Sequence, residues 1–297
     1  MIESTRANWV RIACLLELCA RKPGNVHRSA DFHDTTFVDF ALAGTLFAEA
    51  FQDDATPVGE RIHRAVQSWR YATHKNTYLG TAILLAPMTR VKPGQNLRAQ
   101  IAHELRSLTV EDTVAAYAAI RLANPAGLGT APAQDVCDRP TIDLRSAMAL
   151  ASQRDLIAQQ YENDYAQVFD DALPVLRADL ARGRPLETAI VHADLKLMSN
   201  HPDSLIARKC GQGTAAETQR RAQRVLDAGW PDGSAAARHL AALDAWLRAD
   251  GNRRNPGTSA DLVAAAIYAA LYDGTISLPR DWPVDFAADN PAFVEPR

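Results

Sequence analysis

Apolar residues recur along this chain at intervals of three and four, with little strict alternation, a pattern that predicts helices and no series of strands. Trp9 to Ala20 is apolar nearly all round, broken by Arg11 and Glu17, and reads as a buried helix. Thr36 to Phe51 opens on a Thr/Asp start and continues through Phe37, Phe40, Ala41, Phe47 and Ala48. Gly59 to Ala72 and Leu79 to Met88 follow. Leu97 to Leu108 and Val110 to Ala123 pattern as an antiparallel pair joined at Thr109. Asn124 to Thr141, with Pro125, Gly127, Gly129, Pro132 and Pro140, breaks the periodicity and predicts a long ordered loop. Helices resume at Asp143 to Gln160, Tyr161 to Arg182 with a kink at Pro174, Leu186 to Met198, Ala215 to Ala228, Ala235 to Ala249 and Ser259 to Tyr272. Val263 to Leu271 is apolar on every face, so that helix is expected at the centre. The expectation is an all-α fold, a single compact domain over 1–297 with roughly ten to twelve helices around a buried central one. Residues 277–297 form an irregular tail over the surface in this reading.

Composition narrows the partners. A chain of 297 residues with 47% hydrophobic and 23% charged residues suits a globular protein, and a net charge of −3 argues against nucleic acid as a partner. Any anion site is therefore local. Cys14, Cys19, Cys137 and Cys210 make no metal pattern and read as buried thiols, with Cys14 and Cys19 on different sides of their helix. Met1 to Asn8 is polar and carries both charge signs, unlike a signal peptide, and the apolar runs are too short for a membrane span. A cytoplasmic protein that does not engage membranes is expected.

Four short stretches carry the candidate chemistry. Lys22-Pro23-Gly24-Asn25-Val26-His27-Arg28 sets three potential cations on a Pro-Gly turn, with Asp31 and Asp34 just beyond. Cations and open amides suit a phosphate, and the carboxylates a magnesium ion bridging it; a helix stop with a solvated loop is the simpler alternative. Asn255-Pro256-Gly257-Thr258-Ser259-Ala260-Asp261-Leu262 leads into the central helix, with Thr258 or Ser259 as a natural N-cap. It offers either an anion site at a helix N-terminus or ordinary capping, and Asp261 could hold magnesium or serve as a base. Asp203-Ser204-Leu205-Ile206-Ala207-Arg208-Lys209-Cys210-Gly211 places two cations at a helix end, as phosphate ligands or as partners of the helix dipole. Asn76-Thr77-Tyr78-Leu79-Gly80 can cap a helix or meet a ribose hydroxyl or base edge. Glu17, on an apolar helix, is either neutralised by Lys22 or Arg28 or has a catalytic or metal role. His27, Asp31, His33 and Asp34 match no zinc spacing, and the P-loop, Rossmann and nucleophile-elbow motifs are missing.

Taken together, Leu16-Glu17 with Lys22-Pro23-Gly24, Asn76-Thr77…Gly80, Asp203…Arg208-Lys209…Gly211 and Asn255-Pro256-Gly257…Asp261-Leu262 resemble the triphosphoribosyl-dephospho-CoA synthase family in order and spacing, from about Trp9 to Gly274. The resemblance implies an all-helical enzyme that joins the triphosphoribosyl unit of ATP to the ribose of 3′-dephospho-CoA and releases adenine. Two places depart from the family pattern. His27 stands where KPG-x-V-D-R has Asp, and Tyr78-Leu79 stand where N-T-H-K-G has His-Lys; His74-Lys75 lie just upstream. These departures leave the acceptor open between 3′-dephospho-CoA and a related ribosyl or ribityl hydroxyl, as in tetrahydromethanopterin-type C1 cofactor biosynthesis.

On that resemblance, Lys22, Asn25, Arg28, Arg208, Lys209, Thr258 and Ser259 are expected at the triphosphate, and Asn76 and Thr77 at the ribose or base. Glu17, His27, Asp34 and Asp261 are the catalytic candidates, with His27 either protonating adenine or touching phosphate. Glu17, Asp31, Asp34 and Asp261 are the candidate ligands of Mg2+ accompanying ATP. The partners implied are small molecules, ATP and a ribosyl acceptor, with a homodimer as the assembly. Two alternatives stand beside this reading: an ATP-dependent phosphotransferase and a non-catalytic helical nucleotide-binding protein.

Overall fold

The computed structural model describes residues 5–277. Among them are fourteen α-helices, one 3-10 turn and one π-helical segment, with no strand beyond an isolated bridge between His27 and Ala30. The all-α expectation holds. Within this fold the chain groups into two compact units. The boundary falls within α1 (Arg6–Cys19): among the described residues, 5–15 and 35–166 make the first unit and 16–34 and 167–277 the second.

In the first unit, α2 (Phe37–Phe47) starts from a capping box of Thr36 and Asp39 and runs into a 3-10 turn, Ala48–Phe51. α3 (Val58–Thr73) is the hub, packed against α2, α4 (Leu79–Met88) and α6 (Val110–Ala123). Gly59 permits the α3–α6 approach, since a Cβ there would sit 2.2 Å from the Asp112 carbonyl oxygen. Arg61 of α3 is fully buried, and its guanidinium donates to the carbonyls of Phe51, Asp53 and Thr56 and to the Thr89 hydroxyl.

Pro87 lies inside α4 and cannot donate to the Ile83 carbonyl one turn back. The Tyr161 hydroxyl donates to that carbonyl at 2.8 Å, and the Tyr165 hydroxyl donates to the Leu84 carbonyl at 2.7 Å.

Three local expectations change. α5 (Leu97–Arg106) packs against α4 and α6 against α3, so the two are not a packed antiparallel pair. The apolar stripe Leu97, Ile101 and Leu105 serves a different neighbour from the small residues of α6. The helix expected over 143–160 is two, α7 (Leu144–Ala149) and α8 (Leu156–Glu162), because Asp155 turns its carboxylate onto the amides of Ile157 and Ala158 and starts a new helix. The next stretch breaks at Asp164 and Tyr165, both at positive φ; Pro174 is tolerated in the first turn of α9 (Leu173–Ala181).

The second unit holds the π-helical segment Gln167–Ala172, α9, α10 (Leu186–Asn200), α11 (Ser204–Cys210), α12 (Gln212–Asp227), α13 (Ala236–Arg248) and α14 (Gly257–Tyr272). Leu262 to Leu271 are all buried, as expected of a central helix, and α14 packs against α9, α10, α11 and the π-helical segment. α10 is nearly as buried and closes a core of Val191, Leu195 and Met198 against Val225, Leu243 and Leu247. The expected surface tail, 278–297, lies outside the described residues.

Candidate active site

The Lys22–Arg28 turn follows α1 directly and lies in the second unit. Gly24 has φ +74°, and a Cβ there would meet Leu247 of α13 at 2.7 Å, so only glycine fits. Its amide donates to Asp244 Oδ1 at 2.7 Å. Arg248, one turn along α13, bonds both oxygens of Asp244 through Nε and donates from Nη2 to the Asn25 carbonyl at 2.6 Å. The turn is thereby clamped to the end of α13. The Asn25 side-chain amide nitrogen is buried and has no hydrogen-bond partner.

Each cation of the turn is matched by a carboxylate. Lys22 is fully buried, and its Nζ donates to Glu17 Oε1 at 2.7 Å and to the Glu17 carbonyl at 2.6 Å. Arg21 grips both oxygens of Glu187, at 2.9 and 3.0 Å, and Arg28 Nη2 donates to Glu187 Oε2 at 3.0 Å. The Lys22 ammonium therefore points inward rather than to solvent, which separates it from the expected open phosphate cradle. Glu17 is the partner of that ammonium in this structure.

His27 is buried, its Nδ1 3.2 Å from the Ser29 amide and its Nε2 3.3 Å from Arg248 Nη2. Burial first, then Arg248, Lys22, Arg21 and Arg28, push its pKa down to about 3. In this ligand-free state the surroundings favour the neutral ring.

Asp203 closes the other side. Its Oδ1 accepts from the amides of Leu205 and Ile206, and its Oδ2 from the amide and hydroxyl of Ser259. The N-terminus of α14 is thus already met by a carboxylate, and the anion site expected there is filled by the protein itself. The helix starts at Gly257 with Pro256 as its N-cap, so Thr258 and Ser259 sit within the first turn and bind Ser204, Leu205 and Asp203 instead of capping. Lys209 donates to Asn255 Oδ1 at 2.9 Å, and burial lowers its pKa. Arg208 is exposed, as are Asp31 and Asp34; Asp261 is half-buried. No three His, Cys, Asp or Glu side chains converge on a metal position among the described residues.

Asn76 and Thr77 belong to the first unit, ahead of α4. Asn76 is exposed, and the Thr77 hydroxyl has no partner. Lys75 is tied to Asp39 at 2.7 Å, and Tyr78 is core, stacked on Phe47 at 5.3 Å. The departure from N-T-H-K-G therefore does a packing job.

Sequence reasoning missed Arg21, Glu187, Asp194, Asp244 and Arg248. Asp194, on α10, is fully buried, and neither carboxylate oxygen has a hydrogen-bond partner. Burial foremost, and then the carboxylates of Glu17 and Asp203, raise its pKa to about 8, with Lys22 opposing. Glu187 and Asp194 lie seven positions apart, two turns along one face of α10, a spacing the sequence does carry. Asp244 and Arg248 look like an ordinary surface pair at i, i+4 and carry none.

Fold and cluster define an all-helical protein with a buried, ion-paired polar site beside a clamped Pro-Gly turn. Residues 3–279 match the family model described as ATP:dephospho-CoA triphosphoribosyl transferase. The chain belongs to that family. It is similar to a Pseudomonas syringae pv. tomato protein named as a probable 2-(5''-triphosphoribosyl)-3'-dephosphocoenzyme-A synthase, 34% identical over 110 residues, 37% of each chain. A Vibrio cholerae protein of the same name is 36% identical over 100 residues, 34% of this chain and 31% of that one. The matched stretches thus span about a third of these relatives' length. A crystal structure from Archaeoglobus fulgidus, named as a candidate triphosphoribosyl-dephospho-coA synthase, shares the fold with a TM-score of 0.61 at 23% identity, over 80% of this chain and 99% of that one.

Proposed function

We propose that this chain is a cytoplasmic transferase that joins the triphosphoribosyl unit of ATP to a hydroxyl of 3′-dephospho-CoA and releases adenine. The observation that carries this reading is the buried Glu17–Lys22 pair, held beside the glycine turn of the family motif. In the reaction the bond between the ATP ribose C1 and adenine breaks, and a bond from the acceptor oxygen to that carbon forms. The acceptor hydroxyl loses its proton and adenine gains one. Positive charge builds on the ribose and negative charge on the departing base, so a carboxylic acid near adenine and a carboxylate near the hydroxyl both lower the barrier.

In this reading Arg208, Lys209 and Arg28 face the triphosphate, and the unpartnered amide of Asn25 donates to one of its oxygens. Thr258 and Ser259 hold the α11–α14 junction through Asp203 and Ser204. Asp31 and Asp34, both exposed, would hold a magnesium ion accompanying ATP, which would offset phosphate charge. Glu17, once released from Lys22 and protonated, gives its proton to adenine, and Asp261 takes the hydroxyl proton. Lys22 acts behind Glu17.

Incubation with MgATP and dephospho-CoA, followed by chromatography, tests the reading. Free adenine supports it, ADP indicates a phosphotransferase, and no turnover with any acceptor indicates a binding protein. One observation favours a second acceptor: Lys75 is committed to Asp39, and Leu79 stands at the family's Lys position. A pterin ribityl acceptor therefore belongs in the same assay. The exposed apolar stripe of Val38, Leu42 and Leu46 on α2 supports a homodimer, which sedimentation measures.

A further inference from the structure

Asp194 is unused in that mechanism, yet its placement is costly. A carboxyl with no exposed surface and two unpartnered oxygens destabilises a fold unless another state of the protein uses it. A Leu at this position would relieve the cost, so packing alone gives no reason for an acid. The charged groups facing it are Lys22 and Glu17, from α1 and its turn, and Asp203, from the cap of α11. Asp203 has both oxygens filled by amides and a hydroxyl and cannot take another strong donor readily. That leaves one ammonium, Lys22, hydrogen-bonded to Glu17 and within electrostatic reach of a second, unpartnered carboxyl, Asp194.

We propose that Asp194 is a positioning residue, the alternative counter-ion of Lys22, which arms Glu17 as an acid by taking the ammonium from it. In the structure Glu17 is the carboxylate partner of Lys22, and Asp194 holds the proton. When the ammonium moves to Asp194, that carboxyl releases its proton and Glu17 acquires it. The charge of the trio is unchanged, and Glu17 is left neutral, able to protonate the departing base. This inference rests on the reaction proposed above for its catalytic consequence, but not for the exchange of partners itself.

A double-mutant cycle on thermal unfolding tests the exchange without any assay of activity. Asp194→Asn leaves the Glu17–Lys22 pair intact and keeps or raises Tm. Glu17→Gln lowers Tm only modestly, because Asp194 takes the ammonium. The double variant strands a buried cation and loses about 10 °C more than the sum of the single changes. Additive changes, or a Glu17→Gln protein that fails to fold, overturn the proposal. For the catalytic half, Asp194→Asn lowers kcat for adenine release about 100-fold with KM for ATP within about 3-fold, and Asp194→Glu restores part of it. An unchanged kcat overturns the role in arming Glu17. A wild-type protein that releases no adenine sinks the proposed reaction, while the stability cycle still decides whether Asp194 is the second partner of Lys22.

Discussion

Arg61 in the first unit and Lys22 in the second are both fully buried cations, and they are settled in different ways. Arg61 spreads its planar donors over three carbonyls and a hydroxyl, linking the 3-10 turn, the α3 entry and the end of α4. Lys22 places a single ammonium on Glu17 while a second carboxyl, Asp194, stands nearby without a hydrogen bond. A guanidinium among carbonyls has one arrangement and holds structure. An ammonium among an excess of carboxyl groups has two, and that surplus belongs to a site rather than a scaffold.

The largest effect separating the two is on activity. Lys22→Ala is expected to abolish adenine release and, by stranding Glu17, to cost about 3–5 kcal/mol of stability, while the far-UV CD stays helical. Wild-type turnover in that variant removes Lys22 from the site. Arg61→Met is expected to cost about 3 kcal/mol in denaturant unfolding by orphaning buried carbonyls, with kcat per folded molecule unchanged. A matching fall in kcat would erase the contrast between the two cations.

The pH dependence of stability sharpens the comparison further. Asp194 has its folded pKa raised from 3.8 to about 8, so the folded state holds more protons than the unfolded one across that window. Stability then declines as pH rises through it, by up to about 1.4 kcal/mol per pH unit, and Asp194→Asn removes that slope. His27 works in the opposite sense. Its folded pKa, about 3 against 6.5, makes its contribution complete above 6.5 and lost as pH falls toward 3. His27→Gln should therefore flatten the acid limb of a Tm–pH curve; an unaltered limb would show that the ring titrates normally.

Local signals were the legible ones. α4 and α6 match the boundaries expected from periodicity and Thr109 capping, and the apolar run of α14 announces its central place. The α7–α8 break depended on one Asp choosing amides ahead of it, a choice periodicity does not display. In the site, the Lys22–Arg28 turn is visible as a motif, but its partners are not. Glu187 lies 166 positions from Arg21 and Asp244 lies 220 from Gly24, so only the fold pairs them. The Glu17–Lys22 pair was legible, since a carboxylate on an apolar helix calls for a cation and Lys22 follows five residues on, whereas the complete burial of that ammonium was not.

The two phenols that mend α4 around Pro87 have a practical consequence. Tyr161 and Tyr165 are wholly enclosed, and burial drives both hydroxyls far above the ordinary tyrosine range. Neither can become a phenolate while the first unit stays folded. Their ultraviolet absorbance is therefore an optical gauge installed by the fold: in an alkaline titration, the phenolate signal of these two rings appears only when the helix they brace lets go.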